Sequence, residues 1–315
     1  MEIYQNHPLA PYTTVKIGGP ADTFITTNTT AEFIEVLKKV SEVNNFSAHS
    51  ERVTRSGQPE GSEHRKNSFT SATILGNGSN VLISDSGIRG IVIKNLSNTI
   101  EYLPNNLVKV DSGVQLPFLI TNTINHSLSG LEEFTYIPAT IGGAIYSNIH
   151  GINKNNFDKF ISEIEIFDLK TNSLTTSSTN KLNWSYDTSE FQSHPNLIIL
   201  AATLKLNSGN PDTSREIITN ITAKKTQTQS MNSLGSVFKN PKNDFAGRII
   251  DQELHLKGFQ IGDAQISPLH GNFILNLAHA TATDYLSLIK KIQKEAKDKL
   301  NLDLIPEIKF LGNFS

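Results

Sequence analysis

Residues 74–93, ILGNGSNVLISDSGIRGIVI, decide how the fold is read. A short apolar run, Ala72–Leu75, enters the loop Gly76-Asn77-Gly78-Ser79-Asn80, and a second run, Val81–Ser84, leaves it. Short β-branched runs bounded by turn residues predict strands. Glycine lets successive N–H groups converge on one point, and such a nest accepts phosphate. The loop matches neither G-x-G-x-x-G before a long helix nor G-x-x-x-x-G-K-[ST], so neither a Rossmann nor a P-loop protein is indicated. A second loop, Ile137-Pro138-Ala139-Thr140-Ile141-Gly142-Gly143-Ala144, also lacks bulky side chains between its flanking isoleucines. Either loop alone also reads as a tight turn. Two of them among short strands bring in a dinucleotide site as an alternative.

Outward from this stretch, Gly90–Lys94, Leu107–Val110, Ile161–Asp168 and Leu197–Leu206 read as strands. Helical patterns interrupt at Pro117–His126 and Thr213–Gln227. This is an α+β pattern, without the regular βαβ alternation of a doubly wound sheet. Upstream, Ala21–Thr27 alternates as a strand. Thr29 to Glu32 reads as a capping box opening a helix, whose apolar face is Phe33, Ile34, Val36, Leu37 and Val40. Residues 44–71 are polar and aperiodic, and are expected to form a long surface loop or insertion. Downstream, Asp244–Glu253 is expected as a helix capped by Asp244, Asn272–Leu277 as a strand, and Thr283–Leu300 as a strongly amphipathic helix.

Composition narrows the function. Lys plus Arg is 28 and Asp plus Glu is 30, a formal net charge of −2. A basic excess suited to nucleic acid is missing, so nucleic acid is not an expected partner. There is no Cys, which excludes a disulfide scaffold, a thiolate nucleophile and a Cys-ligated metal, and fits a reducing cytosol. The stretch MEIYQNHPLAPYTTVKIGG shows no signal-peptide pattern, and no window reaches the ~20 apolar residues of a membrane span. A cytoplasmic monomer without membrane contact is expected. The nine His show no metal-ligand spacing, so no metal is expected. Ser236, in Leu234-Gly235-Ser236-Val237-Phe238-Lys239-Asn240-Pro241, could exchange a proton, although a lone Ser is more often structural and no G-x-S-x-G elbow is present. Glu307, in Leu304-Ile305-Pro306-Glu307-Ile308-Lys309, is an acid read as lying inside an apolar strand. Such an acid is either on an exposed face or held for a task.

Six segments in order carry a resemblance: LAPYTTVKIGGPAD (9–22), ILGNGSNVLISDSGIRGIVI (74–93), SGLEEFTYIPATIGGAIYSN (129–148), GSVFKNP (235–241), AGRIIDQELHLKGFQIGDAQIS (246–267) and LIPEIKFLG (304–312). Together they resemble the bacterial UDP-N-acetylenolpyruvoylglucosamine reductase family nearly end to end. The resemblance implies an α+β fold with an FAD-binding region of the vanillyl-alcohol-oxidase (PCMH) type. Its two subdomains are expected over 1–71 and 72–208, followed by an α+β substrate domain over 209–315. It implies FAD as cofactor, held by Gly76, Asn77, Gly78, Ser79, Asn80, Pro138, Thr140, Gly142 and Gly143. NADPH is the implied co-substrate and UDP-N-acetylglucosamine enolpyruvate the implied substrate. Ser236 matches the proton donor to substrate C2, and Glu307 the acid across the enolate, where a raised pKa is expected. Tyr186, Lys239, Asn240 and Gln265 fall on substrate-lining positions, and Lys224 and Lys225 are candidate cations for the UDP diphosphate.

One departure stands out. In Trp184-Ser185-Tyr186-Asp187-Thr188-Ser189-Glu190-Phe191, Asp187 occupies the position where the family carries an Arg facing the substrate carboxylate. Ser230 departs from a family Pro. Either another cation substitutes (Arg248, Lys239 or a residue of 44–71), or the chain is a flavin-binding homologue with weak or lost reductase activity. A flavin oxidase of the same broad fold is a third reading.

Overall fold

A computed structural model describes residues 1–54, 72–227 and 232–314, with only the backbone given for 43–54. The chain forms two compact units: Met1–Tyr4, Thr23–Gly76 and Gly90–Thr219 in one, and Gln5–Asp22, Asn77–Arg89 and Asn220–Ser315 in the other. Strands and helices are mixed in both, as the α+β reading expects.

The first unit is built on a five-stranded antiparallel sheet in the order Ser173–Ser178, Ile161–Asp168, Leu197–Lys205, Leu107–Asp111, Ile100–Leu103. Its centre is Leu197–Lys205, whose near-continuous apolar run follows from burial on both faces. Ile198 and Leu200 pack with Phe33, Val36, Leu37 and Val40 of the helix Thr30–Thr54. Ile199, Ala202 and Leu204 pack on the opposite side with Leu116, Leu119 and Ile120 of the helix Leu116–Asn125 and with Ile141, Ala144 and Ile145 of Ile141–Ser147. Ala72–Leu75 pairs in parallel with the strand Ile88–Asn95, placing Leu75 opposite Lys94.

The second unit buries one core beneath the helix Ala282–Leu300. Tyr285, Leu288, Ile289, Ile292 and Ala296 are its fully buried stripe. Thr281 caps it: its hydroxyl accepts from Asp284 N–H at 3.0 Å, and the Asp284 carboxylate accepts from Thr281 N–H at 3.0 Å. Asp85 accepts from the first-turn N–H groups of Ala282 (2.7 Å) and Thr283 (2.9 Å), an anion placed where the helix dipole favours it. A three-stranded antiparallel sheet (Gln260–Ile261, Ala264–Ile266, Ile274–Asn276) packs there, and Lys309–Leu311 pairs in parallel with Val81–Ile83.

Several expectations change. The helix that starts at Thr30 continues to Thr54, so residues 44–54 are not loop. The apolar stripe fades after Val40, but no Pro or Gly stops the chain before Gly57, and extending an existing helix costs little per residue. Residues 55–71 and Ser230 lie outside the described residues. The helix expected at Asp244 starts at Ala246, with Phe245 as its cap, and passes into a π-turn at Ile249–Glu253. The Asp244 carboxylate instead accepts from Phe245 N–H and pairs with Arg248. Glu307 precedes the strand Lys309–Leu311 instead of lying inside it. The strand Glu2–Pro8 carries no alternating signal because nearly all of it is exposed.

Candidate active site

In the first unit Gly76 comes up against the second glycine loop. A Cβ on Gly76 would stand 2.9 Å from Thr140 Oγ1, so the approach excludes any side chain there. Thr140 caps the helix Ile141–Ser147, its hydroxyl accepting from Gly143 N–H at 3.1 Å. Ile141 N–H donates to Val114 O (2.9 Å) and Gly142 N–H to Ser112 O (2.8 Å). These three N–H groups are therefore spent on the protein and are not open to a phosphate. What Gly142 provides is closeness, since a Cβ there would lie 3.1 Å from Ser112 Cβ.

The first loop differs. The N–H groups of Gly78, Ser79 and Asn80 donate to no acceptor among the described residues. Gly78 has φ +61, and its carbonyl accepts from Thr14 N–H at 3.3 Å. These open donors suit a diphosphate. Lys94, which the sequence reading did not single out, is 7% exposed, and its ammonium donates to Gly76 O. Its signal in the sequence is a lone cation in the run Ile91-Val92-Ile93-Lys94. Burial lowers its pKa to about 8, below the usual 10.5. Below pH 8 the folded apoprotein holds an ammonium it disfavours. Between 8 and 10.5 the unfolded chain binds a proton the folded one has released, so stability rises with pH across that window. Lys94→Met is expected to raise apoprotein stability at pH 7 by up to about 3 kcal/mol and to flatten this slope, while weakening FAD binding. Thermal unfolding from pH 7 to 10, with a flavin titration, checks both.

The second unit pairs the segments that carry Ser236 and Glu307. Glu307 N–H donates to Val237 O at 2.8 Å and Lys239 N–H to Ile305 O at 2.9 Å, with Phe238 bridged antiparallel to Pro306. Both Ser236 and Glu307 are half-buried. Ser236 follows Gly235, which has φ +75, and precedes Val237 and Phe238, both fully buried. Asn272 anchors this segment. Its Oδ1 accepts from Phe238 N–H (2.9 Å), its Nδ2 donates to Phe238 O (2.8 Å), and its own carbonyl accepts from Val237 N–H (2.9 Å). Asn272→Ala is expected to cost about 2–4 kcal/mol by orphaning two buried backbone groups, readable as a lowered urea midpoint.

The remaining residues are fixed as follows. Gln265 Nε2 donates to Gly258 O at 3.2 Å, and Asn240 Oδ1 accepts from Ala246 N–H at 3.0 Å. Lys224 and Lys225 lie in the last turn of the helix Pro211–Thr226, Lys224 exposed and Lys225 half-buried. Burial lowers the Lys225 pKa. The His270 pKa is lowered by burial first, then by Lys225 and Lys257, and Lys257 pairs with Asp251 at 3.1 Å. Lys239 is exposed. Arg248 cannot stand in as a free cation, because Asp244 and Glu253 already match it. Tyr186 and Asp187 lie at the tip of a hairpin in the first unit, where Asp187 contacts His150. His150 carried no sequence signal, since its partner is 37 positions away. No cluster of three or more metal-ligating side chains occurs among the described residues, and no helix among them is long and apolar enough to cross a membrane.

The α+β fold is that of an FAD-binding protein: a family model described as an FAD binding domain matches residues 66–174. A second model, the C-terminal domain of UDP-N-acetylenolpyruvoylglucosamine reductase, matches residues 226–311. The reductase of Bacillus pumilus is 34% identical over 99% of this chain and 94% of its own length, and one from Clostridium botulinum is 33% identical over 99% and 93%. The crystal structure of the Thermus caldophilus enzyme superimposes with a TM-score of 0.76 at 30% identity, covering 99% of this chain and 98% of that one. The chain belongs to the UDP-N-acetylenolpyruvoylglucosamine reductase family, and is an FAD-dependent oxidoreductase.

Proposed function

We propose that this chain reduces UDP-N-acetylglucosamine enolpyruvate to UDP-N-acetylmuramate, a peptidoglycan precursor, at the expense of NADPH. The observation that carries the reading is the backbone pairing of Val237 with Glu307, which lays the segment of Ser236 against that of Glu307. FAD, when bound, would supply the hydride for C3 of the enolpyruvyl group, with NADPH as its source. Negative charge then builds at C2 and on the neighbouring carboxylate. Ser236 Oγ–H gives the proton to C2, and the hydroxyl is re-protonated from solvent, so one hydride and one proton balance the new bonds. Glu307, as its neutral acid, donates a hydrogen bond to the enolate oxygen and limits its charge. Gly76, Asn77, Gly78, Ser79, Asn80, Pro138, Thr140, Gly142 and Gly143 are the residues that would hold FAD, the open amides of Gly78, Ser79 and Asn80 being suited to its diphosphate. Lys224 and Lys225 offer charge to the UDP diphosphate. Lys239, Asn240 and Gln265 line the sugar-nucleotide pocket.

The test is a stopped-flow assay on flavin-loaded protein. NADPH oxidation should match UDP-N-acetylmuramate formed, mole for mole. Flavin that bleaches with NADPH yet never turns over with the sugar nucleotide sinks the reading. That outcome favours the second reading, a homologue that binds flavin without this reductase activity, which Asp187 motivates. Reoxidation by oxygen with no sugar-nucleotide requirement favours the oxidase.

A further inference from the structure

The loop of open amides at Gly78, Ser79 and Asn80, residues 12–15, and the segments that carry Ser236 and Glu307 all belong to the second unit. Two carbonyls of the loop are tied within it. Gly78 O accepts from Thr14 N–H at 3.3 Å, and Asn80 O accepts from Lys309 N–H at 2.9 Å, two residues beyond Glu307. A trans peptide points its C=O and N–H in opposite directions. With Gly78 O turned to Thr14, the Ser79 N–H faces away from it and stays open. The contact is also close: a Cβ on Gly78 would stand 2.4 Å from Tyr12 O and 2.8 Å from Thr13 Cα.

Thr14 makes a second bond, with its side chain. Its hydroxyl donates to Ser233 O at 2.8 Å, across 219 positions of sequence. Ser233 is 6% exposed and bridges antiparallel to Leu275. Its Oγ accepts from Gly235 N–H at 3.4 Å, the residue before Ser236. Asn276 stitches the same two segments, its Nδ2 donating to Val15 O at 2.8 Å and its N–H to Asn232 O at 3.0 Å. Val15, Leu234 and Val237 share one buried core.

Ser236 therefore lies between two anchors. Asn272 fixes Val237 and Phe238 on one side, and Thr14 grips Ser233 on the other. Between them Gly235 has φ +75, and nothing lies within 4 Å of where its Cβ would be. Packing does not hold the turn at that point, so its place depends on the anchors.

We propose that Thr14 is a positioning residue for the proton donor: its backbone holds the flavin loop, its hydroxyl holds Ser233, and Ser236 is thereby kept in register with the flavin loop. The inference rests on the reductase reading above, with Ser236 as donor. Thr14 acts through Ser233 and Gly235, not on the reacting atoms. Its effect is on proton delivery, because transfer from a side chain requires hydrogen-bond reach and a small misplacement slows it steeply.

Thr14→Val keeps the shape and the N–H bond to Gly78 but removes the hydroxyl, and Thr14→Ser keeps it. Flavin-loaded Thr14→Val should be reduced by NADPH at the rate of the intact protein, while reoxidation by UDP-N-acetylglucosamine enolpyruvate slows about 10- to 100-fold. Thr14→Ser should recover most of that rate. In a Ser236→Ala background, Thr14→Val should slow reoxidation no further, because residues that act as one unit are not additive. A second readout needs no turnover. FAD added to apoprotein should protect the amides of Ser233–Ser236 from hydrogen exchange, and should protect them less in Thr14→Val at equal flavin content. Equal slowing in both backgrounds, slowed flavin reduction, lost flavin, no recovery in Thr14→Ser, or a rate or protection unchanged in Thr14→Val overturns the inference and leaves the reductase reading standing. An intact protein whose reduced flavin is never reoxidised by the sugar nucleotide overturns both.

Discussion

Ser236→Ala is expected to give a flavin-loaded protein that NADPH still reduces but whose reoxidation by the enolpyruvyl sugar nucleotide is about 10²–10⁴-fold slower, the usual worth of a positioned general acid. In the proposed mechanism the two half-reactions separate because only the second needs a proton at C2. The change removes one oxygen from a half-buried position beside Gly235 and leaves the Asn272 bonds to Val237 and Phe238 intact. Stability should therefore be nearly unchanged, and the urea midpoint is the control. Unaltered reoxidation in Ser236→Ala removes Ser236 from the mechanism. A parallel slowing of both half-reactions points to a distorted flavin environment instead.

Gly78→Ala is expected to empty the flavin site. A Cβ there would stand 2.4 Å from Tyr12 O and 2.8 Å from Thr13 Cα, both backbone atoms that cannot swing aside. The φ of +61 adds a conformational penalty for any L side chain. The loop must move, and with it the open amides of Gly78, Ser79 and Asn80. We expect a loss of about 2–4 kcal/mol in FAD affinity or folding, seen as a low flavin-to-protein absorbance ratio on purification and a lowered melting temperature. Full flavin content at an unchanged melting temperature would show that the loop tolerates the methyl group and is not the diphosphate cradle.

Much of this fold is legible along the chain because its signals are local. The strands Ala72–Leu75 and Ile161–Asp168 start and stop where the apolar runs do, since turn residues bound them. The helix Ala282–Leu300 follows its stripe and its capping threonine. The misses are local signals that mislead. Residues 44–54 look like loop because the apolar stripe ends at Val40, yet no Pro or Gly stops the helix before Gly57. Asp244 looks like a cap, but a nearby Arg248 competes for its carboxylate. Glu2–Pro8 is a strand without alternation because almost none of it is covered.

The sequence by itself determined the family, the α+β class and the residues on which the chemistry is proposed to rest, because ordered motifs such as GNGSN, IPATIGG and GSVFKNP survive as spacing along one dimension. Only the tertiary structure decided what those residues can do. It showed that the amides of Ile141, Gly142 and Gly143 are spent while those of Gly78, Ser79 and Asn80 are open, that Lys94 is buried behind Gly76, and that the backbone of Glu307 pairs with that of Val237, next to Ser236. It also turned the missing arginine at position 187 into a carboxylate engaged by His150. The physical reason is range. Propensity and periodicity act over a few residues, whereas hydrogen bonding and desolvation depend on groups far apart in the chain that meet only when it folds.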